Sequence, residues 1–277
     1  AAEPAPLHRV APLSIRLAER PMMKLIKWLF VLFVLALVIA GVAAWTMPAD
    51  VAWRHFAPKA GPVSLVGVRG TVWEGHADGV SVFGRDLGEL DWRIDKMPLL
   101  RRVIAADLRI KGADIDGSGL VERASDGRID ARDVRFRVPA TLFAPALDIP
   151  SLTLFGSVTG TFSKASFAEG RVRDALGNAR WSEAGVSGRA EARFSDILAD
   201  FASRPDGSIA GTIADDGKGN LEVNGRFDVS PVAFSAEAFL SARNDDPRVT
   251  EALQYIGQPQ ADGSSHLVIR GELFKLF

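Results

Sequence analysis

The chain has no cysteine, and its 277 residues include one tyrosine, Tyr255, against 16 phenylalanines and 6 tryptophans. Without cysteine there are no disulfides, thiolate metal ligands, cysteine nucleophiles or iron–sulfur clusters. The absence assigns no compartment, because a domain with a large core can do without disulfides anywhere. An excess of one charge is also missing: 33 basic and 34 acidic side chains give net −1. Nucleic acid is therefore not an expected partner, since binding it requires a basic footprint.

Histidine is scarce. Of His8, His55, His76 and His266, none has a second histidine or a carboxylate at ligand spacing on one expected helix, so no zinc motif is present. The segment Gly79–Gly84 lacks the spacing of a nucleophile elbow and reads as strand and turn. Asp114–Gly117 and Asp215–Asn220 lack the downstream Glu of a calcium loop and read as hairpin turns. No catalytic, metal-ligating or cofactor-binding residue is assigned, and neither enzymatic activity nor a cofactor is expected.

What the sequence does contain is one long apolar run. From Trp28 to Trp45 there are 18 residues without a charge. As a helix they would rise about 27 Å, close to the ~30 Å hydrocarbon core, with an indole at each interface. Arg16, Arg20, Lys24 and Lys27 precede the run, and only Arg54 and Lys59 follow it closely. This bias predicts a single-pass inner-membrane anchor over residues 22–47, with the amino terminus cytoplasmic. A cleaved signal peptide is the competing reading, because Val42-Ala43-Ala44 has small-residue character; the run exceeds the ~7–15 residues of a signal core. Ala36, Ala40 and Ala44, with Gly41 beside them, form a small-residue stripe that suits a partner helix, although such residues are common in spans. Residues 1–21 read as a disordered or non-native leader, since Met22-Met23-Lys24 resembles a start.

Beyond residue 45 the charge is 28 basic against 32 acidic groups, net −4, with no polybasic run for anionic lipid. Hydrophobicity there alternates with period two, as in Val134–Val138, Leu108–Lys111 and Ala190–Phe194. Asp-Gly pairs at 116–117, 126–127, 206–207, 216–217 and 262–263 supply the turns. Of the 26 glycines, 25 lie at or after Gly61. Several sit in an apolar-x-apolar-x-Gly pattern ending at Gly70, Gly225 and Gly271, and within strands they are expected to mark bulges or bends. Two helices are expected, one capped by Asp246 with Val249, Ala252, Leu253 and Ile256 on its buried face, the other over Ser195–Ser203. The Pro-rich stretch 139–150 reads as a loop that could separate two lobes. The predicted fold class is mainly β: an anchor helix, then a curled antiparallel sheet over 48–277, as an open groove or sandwich, with one or two short helices.

Gly70-Thr71-Val72-Trp73-Glu74-Gly75, following a short anchor, resembles protein N of the bacterial type II secretion system. The closing stretch, with Gly257-Gln258-Pro259 and Leu267–Gly271, is similar to that family's carboxy-terminal element. The resemblance implies a non-enzymatic inner-membrane protein with a periplasmic β domain, whose partners are other secretion components of the inner and potentially the outer membrane. Gly70, Trp73, Gly75 and Gly271 carry over as a signature only. An anchored β domain also resembles AsmA-like proteins, which implies lipid as an alternative partner.

Overall fold

The computed structural model describes residues 32–36, 41–42, 45–59, 61–144, 152–168, 171–230 and 233–272. The chain divides into two compact units, Ala1–Thr46 and Met47–Phe277. In the first, residues 32–36, 41–42 and 45 are helical, and Leu32, Phe33, Leu35, Val42 and Trp45 are exposed. Thr46 donates from both N and Oγ1 to the Val42 carbonyl, at 2.9 and 2.8 Å. Among the described residues no helix is long and apolar enough to cross a membrane. Trp28, Ala40, Ala44 and the leader lie outside the described residues.

The second unit opens with helix α1 (Ala49–Phe56), which buries Ala49 and Ala52. The strands follow: β1 (Val63–Val66), β2 (Arg69–Gly70), β3 (Glu74–Val82), β4 (Arg85–Asp95), β5 (Ile104–Lys111), β6 (Asp116–Arg123), β7 (Ile129–Pro139) and β8 (Leu152–Ala168). Next come β9 (Arg171–Gly188), β10 (Ala192–Arg193), β11 (Ile197–Ser203), β12 (Ile209–Asp215), β13 (Leu221–Val229) and β14 (Ala233–Ala242). Helix α2 (Pro247–Leu253), β15 (Gln258–Pro259) and β16 (Ser265–Glu272) complete the described elements. All sixteen strands join one antiparallel sheet in the order β1-β3-β4-β5-β6-β7-β8-β9-β11-β12-β13-β14-β16-β15. β2 pairs with β3, and β10 with β9. β7 pairs directly with β8, so the sheet is continuous across the Pro-rich stretch.

Because register partners share a face, the pairing sorts the side chains into two surfaces. One carries Trp92 opposite Leu108, Val134 opposite Phe162 and Val223 opposite Leu240. The other carries ion pairs such as Arg93–Glu74, Arg180–Asp196 and Arg226–Glu237. The hairpins also define two ends. The Met47 end holds the turns 96–103, 124–128 and 204–208; the opposite end holds α2.

The buried core lies at the α2 end, where Leu154, Val186, Val223 and Leu240 pack with Val249 and Leu253. Asp246 starts α2 by accepting from the amides of Arg248 and Val249, at 2.9 and 3.3 Å, and Gly257 follows it at φ +74°. The helix packs on both β10 and β14. β10 pairs with β9 on the side that β11 also occupies, three ladder steps from β14. In a flat sheet those steps span ~14 Å, more than the ~10–12 Å width of a helix, so the sheet curls around α2.

Three sequence expectations need correction. Ser195–Ser203 is not a helix: residues 197–203 form β11, bonded to β9 and β12 on its two sides, and ladders on both edges override the local spacing of Ile197, Leu198 and Phe201. Of Ala190–Phe194, Ala192 and Arg193 alone form a strand. Asp116-Gly117 begins β6, and the turn lies just before it, closed by Gly112 N to Ile115 O at 2.6 Å. Gly127, Gly207, Gly217 and Gly263 do occupy turns, all with φ between +77° and +85°.

Candidate binding face

The signature segment is a tight hairpin at the Met47 end. Gly70 adopts φ +87°, and a Cβ there would lie 2.7 Å from the Glu74 carbonyl oxygen. Thr71 N donates to that carbonyl at 2.9 Å, and Glu74 N donates to Thr71 Oγ1 at 3.1 Å. Trp73 is half-buried, with the Lys96 ammonium 5.4 Å from its ring centre, and its carbonyl accepts from Ile94 N at 2.7 Å. The Trp92 ring lies over Gly75, and its Nε1 donates to Val72 O at 3.1 Å. The Trp92 indole and the Trp73 carbonyl thus tie the hairpin to β4. Val72 N in turn donates to Met47 O at 3.1 Å, and Pro48 bridges to Thr71, so the hairpin also holds the chain where it enters the unit. In the first unit, Ala36 and Gly41 are helical and exposed.

The strand glycines have a use that their local sequence does not show. Along one row of the apolar face the residues read Phe162, Gly177, Phe201, Gly211 and Phe227, from β8 to β13. The rings of Phe136, Phe162, Phe201 and Phe227 follow one another at centroid distances of 5.9, 5.2 and 6.3 Å. Each glycine lies under a ring. A Cβ on Gly177 would come 2.8 Å from Phe201 Cζ, and Cβ atoms on Gly160, Gly211 and Gly271 would clash with Phe136, Phe227 and Phe234. Bulges do occur beside Gly79, Gly119 and Gly156, but Gly225 sits in an unbroken ladder against Ala238. The four Phe of the ladder are half-buried and lie outside the buried cluster. The result is an aromatic strip accessible from one side.

The other face is polar and internally neutralised. Two shallow depressions of about 610 and 540 Å³ open on it. The smaller is lined by Arg128, Asp130, Arg132, Lys164 and Asp174; within it Arg128 pairs with Asp130 and Lys164 with Asp174. His76 lies between Asp91 at 2.8 Å and Asp78 at 3.3 Å, and its hydrogen bond to Asp91 raises its pKa above the ordinary histidine value. His266 is 3.0 Å from Glu237. Hydrogen bonds from Arg226 and then His266 hold that carboxylate below its ordinary value. Among the described residues no group of three His, Cys, Asp or Glu could hold a metal ion.

With this geometry in place, comparison with known proteins is informative. The family described as "Type II secretion system (T2SS), protein N" matches residues 61–268, nearly the whole sheet and the Gly70–Gly75 hairpin. The chain belongs to the type II secretion system protein N family. A relative in Vibrio cholerae serotype O1, named "Type II secretion system protein N", is 25% identical over 236 residues, covering 82% of this chain and 91% of its own. No solved structure matches. The bend at Gly70–Gly75 was legible because a hairpin is local. The Phe–Gly row was not: its members lie 10 or more residues apart, and only the register brings them together.

Proposed function

We propose that the protein is a non-enzymatic accessory component of the type II secretion apparatus. A single helix over residues 22–47 holds it in the inner membrane with its amino terminus in the cytoplasm, and the 47–277 unit docks onto other secretion components in the periplasm. The observation that carries this reading is the protein N family match across residues 61–268. The exposed apolar helical residues Leu32, Phe33, Leu35, Val42 and Trp45 support the anchor, and the sequence stripe of Ala36, Ala40, Gly41 and Ala44 offers a packing surface for another span. For docking, β1 has a strand partner on one side only among the described residues. The opposite border ends in the two-residue β15, where Pro259 has no N–H to donate. β1 is therefore the better acceptor for a partner strand. Cells lacking the protein should retain export substrates in the periplasm; normal export without stored substrate refutes the reading. A Lys218→Cys chain should react with an impermeant thiol reagent from the periplasmic side, and labelling only after inner-membrane lysis would reverse the topology.

The half-buried Phe strip, which lies outside the buried cluster, favours a second reading, lipid handling. A row of rings open on one side fits acyl chains, as an AsmA-like groove would. Lipid co-purifying with the intact chain, and lost in Phe201→Asp, is the expected outcome; a lipid-free preparation rules this reading out.

A further inference from the structure

Of the hairpin turns at the Met47 end, two are polar: Ala124–Arg128 and Arg204–Ser208 carry Asp126-Gly127 and Asp206-Gly207. The turn between β4 and β5 differs. It reads Lys96-Met97-Pro98-Leu99-Leu100-Arg101-Arg102, and Met97 and Leu100 are 77% and 83% exposed. This is a built projection. Met97–Arg101 forms a 3-10 turn, Arg102 closes it at φ 58° with its N–H on Leu99 O at 2.9 Å, and Val103 N donates to Pro98 O at 3.1 Å. Ile104, the first residue of β5, is exposed beside it. Arg101 and Arg102 are exposed, while Lys96 is engaged over Trp73. From Asp95 to Arg102 the segment has three basic residues against one acidic.

Its position adds the second element. Met47 O accepts from Val72 N, and the adjoining Trp73 O accepts from Ile94 N, two residues before Lys96. The projection therefore stands two hydrogen-bonded neighbours from the residue where the unit begins. A chain that leaves the bilayer close to Trp45 brings this turn to the membrane surface.

We infer that the turn 96–102 is a membrane contact of the extramembrane unit, with Met97 and Leu100 entering the interface of a bilayer and Arg101 and Arg102 meeting anionic phospholipid headgroups. Large apolar side chains flanked by cations match an interfacial layer whose surface is negative and whose interior is apolar. The sequence has no polybasic run; the fold supplies instead an apolar tip with two exposed cations. The contact orients the sheet by fixing a second point besides the anchor. This inference rests on the anchor reading above.

The cysteine-free chain allows single-site labelling. Full-length Leu35→Cys, Leu100→Cys and Lys218→Cys chains carry an environment-sensitive fluorophore and are reconstituted in phosphatidylglycerol or phosphatidylcholine bilayers bearing a lipid-attached quencher. Quenching at position 100, with position 218 unquenched, is expected in phosphatidylglycerol. It should weaken in phosphatidylcholine and when Arg101→Glu is added. A fluorophore at position 100 as unquenched as at 218 overturns the contact, and equal quenching in both lipids overturns the headgroup assignment. Quenching at position 35 decides the anchor separately: its presence without quenching at 100 sinks this inference alone, and its absence sinks the anchor.

Discussion

Gly160→Ala isolates the relation between glycines and rings. Gly160 is buried, and its φ lies outside the left-handed region, so alanine fits the backbone. A Cβ there would lie 2.5 Å from Phe136 Cε1 and 3.1 Å from the Asn178 carbonyl oxygen. Restoring carbon contacts of ~3.5–4.0 Å requires the ring to retreat by about 1 Å. Overpacking of this kind costs about 1–3 kcal/mol, and alanine recovers roughly 0.5–1 kcal/mol over glycine within a strand. The expected net loss is about 1–2 kcal/mol. Phe136→Ala, at a half-buried ring, should cost roughly 2 kcal/mol, below the usual core range. In that background the clash is gone, and Gly160→Ala should become neutral or slightly stabilising, giving a coupling on the order of 2 kcal/mol. Urea unfolding of the full chain in detergent, followed by far-UV circular dichroism with unchanged slope, reads all four corners. Losses that add to within ~0.5 kcal/mol refute the reasoning.

Leu253→Ala, at the largest fully buried side chain on α2, should cost about 2–5 kcal/mol in the same unfolding assay. Asp246→Ala removes the acceptor of the Arg248 and Val249 amides and should cost about 1 kcal/mol. Burial pushes the Asp215 carboxyl up, but hydrogen bonds from Val223 N, Arg243 and Gly217 N outweigh it and hold its pKa below the ordinary value. Its stabilisation is therefore full above the ordinary carboxylate range and is lost as pH falls below about 4. In unfolding midpoints measured against pH, Asp215→Asn should be weaker at neutral pH and flatter on the acid side; an acid limb as steep as wild type contradicts the assignment.

What could be read from the sequence was local. Val134–Val138 shows its strand because one face is wet, and α2 shows itself because Asp246, Pro247 and Gly257 act within one short segment. β11 was misread because Ile197, Leu198 and Phe201 keep a helical spacing, while the strands that claim its backbone, β9 and β12, are not neighbours in that window. The glycines failed for the same reason: Gly211 is small because Phe201 and Phe227 flank it from two other strands. The tip at Met97 and Leu100 could be seen as a turn lacking Gly, Asn and Asp, but its projection depends on the tight closure at Arg102.

The strand order has a consequence for synthesis. From β3 to β9 each strand pairs with the one made just before it, so the sheet can lengthen by accretion as the chain emerges. Yet no described residue before Ala140 belongs to the buried cluster, and three of its most enclosed members, Val249, Ala252 and Leu253, are made only after β14. A chain not yet extended to α2 thus has hydrogen-bonded strands without this cluster, and more of its apolar surface is open to proteases and chaperones. Completion of α2 turns that assembly into a durable protein.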